Sequence, residues 1–396
     1  MSSRPVIRLL PKIDSRPLRR GFPWVYDNQL VTDRRTRALE PGSLATLEDT
    51  DRREIGTVAV NPNSKILARM LDRDPQAEIG VDWLRARIRS ALELRNALYS
   101  APFYRLIHAE ADGFPGTVVD RFGDTLVVQP NAAWIDVRLD VFAEVLAEET
   151  GAANVLKNAQ GRARGLEGLD EVSTVLIGTS PGKVPVELNG ATFIADLEGG
   201  QKTGLYYDQR ENQAFAARLA SGLDVLDVFS HVGGFALAAL AAGARSALAV
   251  DGSEAALALA EEGARASGMA DRFTTMKADA FDALTALGEE GRRFGAVICD
   301  PPAFAPTKQA LEAGLRAYEK VARLAAQLVT PGGTLTLCSC SHAAGLDAFR
   351  AACLRGIGRA GRNAQILRTG YAGPDHPLHP ALAESGYLKA LTFRLT

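Results

Sequence analysis

Asp227-Val228-Phe229-Ser230-His231-Val232-Gly233-Gly234-Phe235 decides the reading of this chain. An apolar run ends at its aspartate, two glycines follow, and an alanine-rich helical pattern begins. Val225–Phe229 reads as the first strand, and four further strand-like runs follow at spacings that leave room for helices, at residues 247–250, 273–276, 296–299 and 334–338. Helical periodicity fills residues 254–266 and 311–328 between them. Strands alternating with helices imply an α/β, doubly wound sheet. Such sheets bind ligands beyond the carboxyl ends of their strands. Gly233 and Gly234 allow close backbone approach there, with Phe229 and Ser230 in the same loop. The spacing is not G-x-G-x-x-G, which argues against a dinucleotide and a dehydrogenase. Acids end the first two strands and follow the third, at Asp227, Asp251 and Asp279. Asp251 is placed for ribose hydroxyls and Asp279 for an adenine edge, so the three together favour an adenosyl ligand over simple helix caps.

Two more strand ends carry chemistry. Cys299-Asp300-Pro301-Pro302-Ala303-Phe304 ends the fourth strand. Its prolines remove backbone donors and stiffen the loop. Asp300 can then meet an amino or ring-nitrogen edge, and Phe304 can stack on a base. Leu337-Cys338-Ser339-Cys340-Ser341-His342 ends the fifth. Cys338 lies deeper in the apolar run and reads as packing, the usual fate of a free cysteine. Cys340 stands at the tip between two serines, where a nucleophilic thiol belongs. Cys299 reads as core, and Cys353 falls on a helix. No second Cys/His pair supports a metal site, so none is expected.

The chain has 396 residues, more than one domain of about 100–200 residues accounts for. No apolar run reaches membrane-span length, and the N-terminal residues lack a secretory leader's apolar stretch. All four cysteines lie after residue 298, a poor disulfide framework that suits a reducing cytoplasm. Net charge is −2, which excludes a globally basic nucleic-acid binder. Residues 1–37 nonetheless hold nine Arg or Lys against three Asp, including Arg16, Arg19, Arg20, Arg34, Arg35 and Arg37. Arg85, Arg87, Arg89 and Arg95 form a second basic group on a helix expected to run from an Asp82 cap to residue 99. Localised charge of this kind steers a polyanion to one face.

Residues 1–72 show short strands between Gly, Pro, Asn and Asp clusters, the pattern of a small β-barrel or sandwich. Residues 104–200 read as mixed α/β, with hairpins turning at Gly123-Asp124 and Asn189-Gly190. Asp208-Gln209-Arg210-Glu211 has capping-box spacing before a helix reaching residue 219.

Several longer stretches carry a resemblance. They are Arg20-Gly21-Phe22-Pro23-Trp24-Val25-Tyr26, Ala111-Asp112-Gly113-Phe114-Pro115-Gly116-Thr117-Val118-Val119-Asp120-Arg121-Phe122-Gly123, Gln201-Lys202-Thr203-Gly204-Leu205-Tyr206-Tyr207-Asp208-Gln209-Arg210 and Asp375-His376-Pro377. In order over nearly the whole length, they resemble the ribosomal RNA large-subunit methyltransferase I family. The resemblance implies a PUA-like RNA-binding domain at 1–75, a connector at 76–200 and a class I, Rossmann-like methyltransferase domain at 201–396. It implies S-adenosylmethionine as cofactor, held by the strand-end residues above with Tyr207, Gln209 and Arg210. It implies 5-methylcytosine in large-subunit ribosomal RNA as product, Cys340 as nucleophile and Asp300 as partner acid. Arg19, Arg20, Trp24, Pro302 and Phe304 are the expected RNA contacts, and a homodimer is compatible with it. Two departures stand out: Val186-Glu187-Leu188-Asn189-Gly190 replaces a common Glu-Glu-His-Gly, and His231 follows Ser230 where Tyr or another residue is usual. Amino methylation without the cysteine and a non-catalytic RNA-binding assembly factor are the rival readings.

Overall fold

The structure is a computed structural model that describes residues 4–199 and 204–396. Residues 1–3 of the N-terminus and 201–203 of the quoted Gln201–Arg210 stretch lie outside it. The chain divides into two compact units, Met1–Pro181 with Asp375–Ser385, and Gly182–Pro374 with Gly386–Thr396.

The first unit contains two five-stranded sheets. One has strands Val6–Arg8, Ser43–Glu48, Glu54–Val60, Ala68–Asp72 and Trp24–Val25 in that spatial order. The other runs from Thr174–Ile177 through Asn154–Lys157, Thr125–Pro130 and Thr117–Phe122 to Phe103–His108. Helices Val81–Leu98 and Leu139–Thr150 cover the second sheet's core, where Phe114, Trp134 and Phe142 are buried. Gly80, with extended backbone, caps the first of these helices, and Asp82 lies inside its first turn instead. The second basic group is not a free patch. Arg85 and Arg89 both pair with Glu149, Arg87 pairs with Asp72, and the buried Arg95 pairs with Asp112. Carboxylates distant in sequence neutralise it, which charge counting along one helix does not reveal.

The second unit holds a seven-stranded sheet. Its strands are β1 (Asp224–Val228), β2 (Ser246–Asp251), β3 (Phe273–Lys277), β4 (Phe294–Cys299), β5 (Val329–Ser339), β6 (Ala364–Gly370) and β7 (Lys389–Leu395). Its helices are α1 (Arg210–Arg218), α2 (Gly234–Ala241), α3 (Glu254–Ala266), α4 (Ala280–Glu289), α5 (Leu311–Leu328) and α6 (Leu346–Arg359). The spatial order is 3-2-1-4-5-7-6, with β7 antiparallel to both neighbours. Order reverses between β1 and β4, so the crevice for a ligand opens above those strands. β4 is buried along its whole length, as a strand covered on both faces must be. Ser253 caps α3 by accepting from the Ala256 amide, which starts that helix two residues beyond Asp251.

The hairpin Lys183–Leu188 and Ala191–Asp196 belongs to this second unit, although sequence grouped it with the connector. Its backbone lies against α3 at Gly263, where an added Cβ would stand 2.9 Å from the Thr192 carbonyl. Asn189 and Gly190, with φ of 50° and 78°, make its turn as expected. Helix α1 lacks the expected capping box. Gln209 is its cap residue with helical backbone, and the Asp208 carboxylate is taken by the Tyr387 hydroxyl at 2.6 Å.

Candidate active site

A cavity of about 490 Å³ opens at the carboxyl ends of β1, β2, β4 and β5. Phe229 and His231 line it from the loop after β1, Asp251 and Ser253 from the end of β2. Asp300, Pro301, Pro302 and Ala303 come from β4, Cys340 from β5. Tyr206, Asp208 and Gln209 close it from the chain before α1, with Tyr387 and Leu388 from just before β7.

The loop after β1 is strained. Phe229 and His231 have φ of 61° and 49°, a left-handed conformation unfavourable for any residue with a Cβ, and Gly233 follows at 79°. Non-glycine residues held this way cost of order 1–3 kcal/mol each and gather at ligand sites. The His231 amide donates to Asp251 Oδ2 at 2.9 Å, tying loop to strand end, and Ser253 N donates to Asp251 Oδ1 at 2.8 Å. Only Gly233 is required by its backbone angle. At Gly234 an added Cβ would lie 2.6 Å from the Gln213 amide nitrogen, so that glycine admits the protein's own side chain.

Three strand-end acids have three different fates. Asp251 faces the cavity. Asp227 is wholly buried beneath it, accepting from the Ala236 amide at 2.9 Å, and burial pushes its carboxyl up to about 7. Asp279 is exposed and caps α4 by accepting from Phe281 and Asp282. It does not line the cavity. Ser230 is buried beside the loop, and its hydroxyl meets no partner among the described residues; the same holds for Asp227 Oδ1. Buried polar atoms of this kind at the cavity can be completed by a polar ligand or water. An open carboxylate, a strained left-handed loop and orphaned polar atoms fit an adenosyl group.

Asp300 and Cys340 share the cavity's other half. Burial, and then the charge of Asp208, push the Asp300 carboxyl up to about 8. The Gln209 amide lies beside Asp300 and Cys338 and opposes that rise, although its Nε2 closes no full-strength bond. Cys340 is half-buried, with Sγ 4.0 Å from the Pro301 carbonyl. Cys299, Cys338 and Cys353 are all buried, and burial raises each thiol well above its ordinary range. A hydroxyl chain braces the thiol. Tyr318 OH lies 2.8 Å from Ser341 Oγ and accepts from Ser339 Oγ at 2.9 Å. Ser341 Oγ in turn accepts from the Ala305 amide at 2.9 Å, joining the β5 tip to the β4 loop.

Not every expected contact gathers here. Phe304 sits in an aromatic cluster, its ring 5.0 Å from Tyr318 and 6.1 Å from Phe281, while Pro302 is exposed at the cavity rim. Tyr207 is buried with the Arg210 guanidinium 5.6 Å above its ring, and neither lines the cavity. In the first unit Arg20 is exposed, Arg19 pairs with Asp49, and Trp24 Nε1 donates to Glu110 at 2.8 Å. Tyr206, Asp208, Tyr387 and Leu388 were missed as lining residues. The first two lie inside the quoted stretch ending at Arg210; the last two carry no sequence signal. Among the described residues no group of three His, Cys, Asp or Glu could hold a metal ion.

Residues 146–394 match the family described as S-adenosylmethionine-dependent methyltransferase, and residues 7–73 a PUA-like domain. A protein from Shewanella amazonensis named ribosomal RNA large subunit methyltransferase I is 35% identical over 96% of both chains. One of that name from Aeromonas salmonicida is 32% identical over 97% of this chain and 98% of its own.

This chain belongs to the ribosomal RNA large-subunit methyltransferase I family.

It is an S-adenosylmethionine-dependent methyltransferase with a PUA-like N-terminal domain and a class I, Rossmann-like catalytic fold. A solved putative methyltransferase from Streptococcus mutans shares the fold, with a TM-score of 0.81 at 18% identity over 98% of this chain and 100% of that one. A second solved structure, a putative methyltransferase complexed with SAH, also superposes with a TM-score of 0.81, at 18% identity over 98% of this chain and 99% of that one.

Proposed function

We propose that this enzyme methylates carbon 5 of a cytosine in large-subunit ribosomal RNA through a covalent bond to Cys340. One observation carries the reading: the half-exposed thiol shares a cavity with a neutral-leaning carboxyl and the open Asp251 carboxylate, while the other three cysteines are sealed in the core. The names of the relatives supply ribosomal RNA as the substrate class.

Cytosine carbon 5 is a weak nucleophile. Attack of the Cys340 thiolate on carbon 6 forms an S–C bond and pushes electron density to carbon 5 and the N3 side of the ring. Asp300 is protonated at neutral pH and gives its proton to that edge as charge builds there. Bound S-adenosylmethionine supplies an electrophilic methyl on a sulfonium sulfur. Asp251 would hold the ribose hydroxyls, with Phe229 and His231 as the wall beside them and the buried Ser230 hydroxyl behind that wall. Loss of the carbon 5 proton to a base then restores the double bond and expels the thiolate, and the ring nitrogen returns its proton to Asp300. The base must leave its helix to enter so narrow a space, so the RNA is single-stranded or flipped at the target. Arg20 and the neighbouring exposed arginines of the PUA-like domain hold phosphates and set the register. Four cysteines without a disulfide fit the reducing cytoplasm where ribosomes are made.

The test is nucleoside mass spectrometry of large-subunit RNA incubated with enzyme and labelled cofactor. Cys340→Ala should abolish label in 5-methylcytosine and leave cofactor affinity unchanged, whereas Cys338→Ala should keep turnover within about threefold. Label on an exocyclic amino group, or turnover retained in Cys340→Ala, would sink the covalent route.

A further inference from the structure

Lys389 opens β7, opposite Ser339 of β5, one residue before the thiol-bearing Cys340. It is 5% exposed, and a lysine that buried needs a reason. Its Nζ donates to the Ser341 carbonyl at 2.7 Å, which uses one of three N–H bonds and neutralises no charge. No carboxylate is paired with it in any ion pair among the described residues. The backbone carbonyl it holds belongs to the residue after Cys340, so the ammonium stands at the thiol's own loop.

We propose that Lys389 is a positioning residue that acts through Cys340, its buried ammonium stabilising the thiolate that attacks the base. Among the described residues, Asp208, His231 and Asp251 line the same cavity as Cys340, and four groups bear on the thiol itself. Asp300 faces it across the cavity from β4, Tyr206 from the chain before α1, Tyr318 from α5 and Lys389 from β7. The two tyrosines are held neutral, Tyr206 pushed up to about 12 by burial and then by nearby acids and the thiol. Asp300 keeps its proton to about pH 8, so it does not oppose a thiolate at neutral pH. Lys389 is the cation among these described groups. Burial lowers its own affinity for a proton, and the charge of Cys340 offsets part of that loss. The attraction is mutual, so the ammonium favours the thiolate by the same coupling. An apolar surround strengthens it relative to water. The arrangement supplies a thiolate and a carboxylic acid in one cavity at the same pH, which covalent attack on carbon 6 with proton delivery to the ring requires.

Its catalytic meaning rests on Cys340 as nucleophile, but the coupling itself can be read without turnover. The full-length enzyme is alkylated with iodoacetamide across a pH series, and modification of the Cys340 peptide is followed by mass spectrometry. Lys389→Met should raise the midpoint of the alkylation curve. A midpoint higher by about 1 in pH leaves the rate near neutral pH about tenfold lower, while the high-pH plateau stays as in the wild type. Lys389→Arg should keep the wild-type midpoint. Lys389→Gln can still donate to the Ser341 carbonyl but carries no charge, so its midpoint should rise as that of Lys389→Met does. A wild-type midpoint in Lys389→Gln, in protein that still binds S-adenosylmethionine, would overturn the proposal and leave Lys389 a structural donor. A lowered plateau with an unmoved midpoint would overturn it too. If the midpoints rise but Cys340→Ala still methylates, the coupling stands and the covalent reading falls.

Discussion

Asp300 shows how the charge of one side chain is set by what surrounds it. A carboxyl pushed up to about 8 is an acid at neutral pH, and burial, then the charge of Asp208, keep it so. Methyl transfer should therefore climb with pH as the Cys340 thiolate forms, then fall above about pH 8 as Asp300 ionises. In Asp300→Asn the descending limb should vanish and the rate drop by roughly 10²–10⁴-fold, read from single-turnover rates across pH 5–10. A descending limb surviving in that variant would assign it to another group. Stability runs the opposite way. The folded protein holds a proton on Asp300 that the unfolded chain releases near pH 4, so this group's stabilising contribution is lost as pH rises from there to about 8. Asp300→Asn should thus gain on the order of 1 kcal/mol at pH 7 relative to the wild type in urea unfolding. Sequence placed this residue and Cys340 at adjacent strand tips because parallel strands end in a row. It could not see Asp208 or Tyr387, which reach the cavity from chain outside the strand-end pattern. Nor could it separate Asp251 from Asp279, since the choice between facing a ligand and capping a helix is made by a few local hydrogen bonds.

At the scale of elements, β1, β2 and β4 are legible because strands covered on both faces read as largely apolar stretches, whereas the half-exposed edge strand β3 and the strand β5 show through their β-branched residues. α3 and α5 run over the residues their periodicity gave. β6 and β7 were not legible. β6 is largely solvent-facing with sequence Ala-Gln-Ile-Leu-Arg-Thr-Gly, and its partner begins at Lys389, after eighteen intervening residues. Close approach of helices is equally silent in a single sequence. Gly356 of α6 lies against α5 so tightly that an added Cβ would stand 2.4 Å from the Glu319 carbonyl and 2.7 Å from Ala322 Cβ. Alanine is the better helix former by about 1 kcal/mol, but overpacking against backbone costs about 1–3 kcal/mol. The backbone carbonyl cannot move aside as a side-chain tip can, so the clash should win. Gly356→Ala should be net destabilising by about 1–2 kcal/mol in urea unfolding. Gly358, two residues on with open space around its Cα, gives the control, and Gly358→Ala should be neutral or stabilising. Equal effects from both would mean that α6 shifts to relieve the contact.

Across the whole molecule, the chain's last crossing explains Asp375-His376-Pro377. After β6 the chain joins the first unit for Asp375–Ser385 and then returns to form β7. Asp375 is fully buried there, accepting from the Arg105 amide at 3.0 Å, while its own carbonyl takes the Arg95 guanidinium at 2.9 Å. His376 holds Asp375 Oδ1 at 2.9 Å, and its ring lies 5.0 Å from that of His108. Burial first, then His376 and the two arginines, push His108 down to about 2. This imidazole therefore stays neutral in the folded protein while the unfolded chain takes up a proton below about pH 6.5. The unfolded state binds more protons throughout that window, so stability is lost as pH falls from 6.5 towards 2. The loss from this one group should reach about 1–2 kcal/mol by pH 5. His108→Phe keeps a ring against His376 but cannot titrate, so its unfolding midpoint should fall less between pH 7 and pH 5 than the wild type's. Tryptophan emission makes the measurement local, because Trp24, Trp83 and Trp134 are the chain's three tryptophans and all lie in the first unit. An equal acid-induced fall in both proteins by that signal would place the pH sensitivity elsewhere. A smaller fall in the variant would assign that part of the first unit's acid sensitivity to the buried, neutral His108.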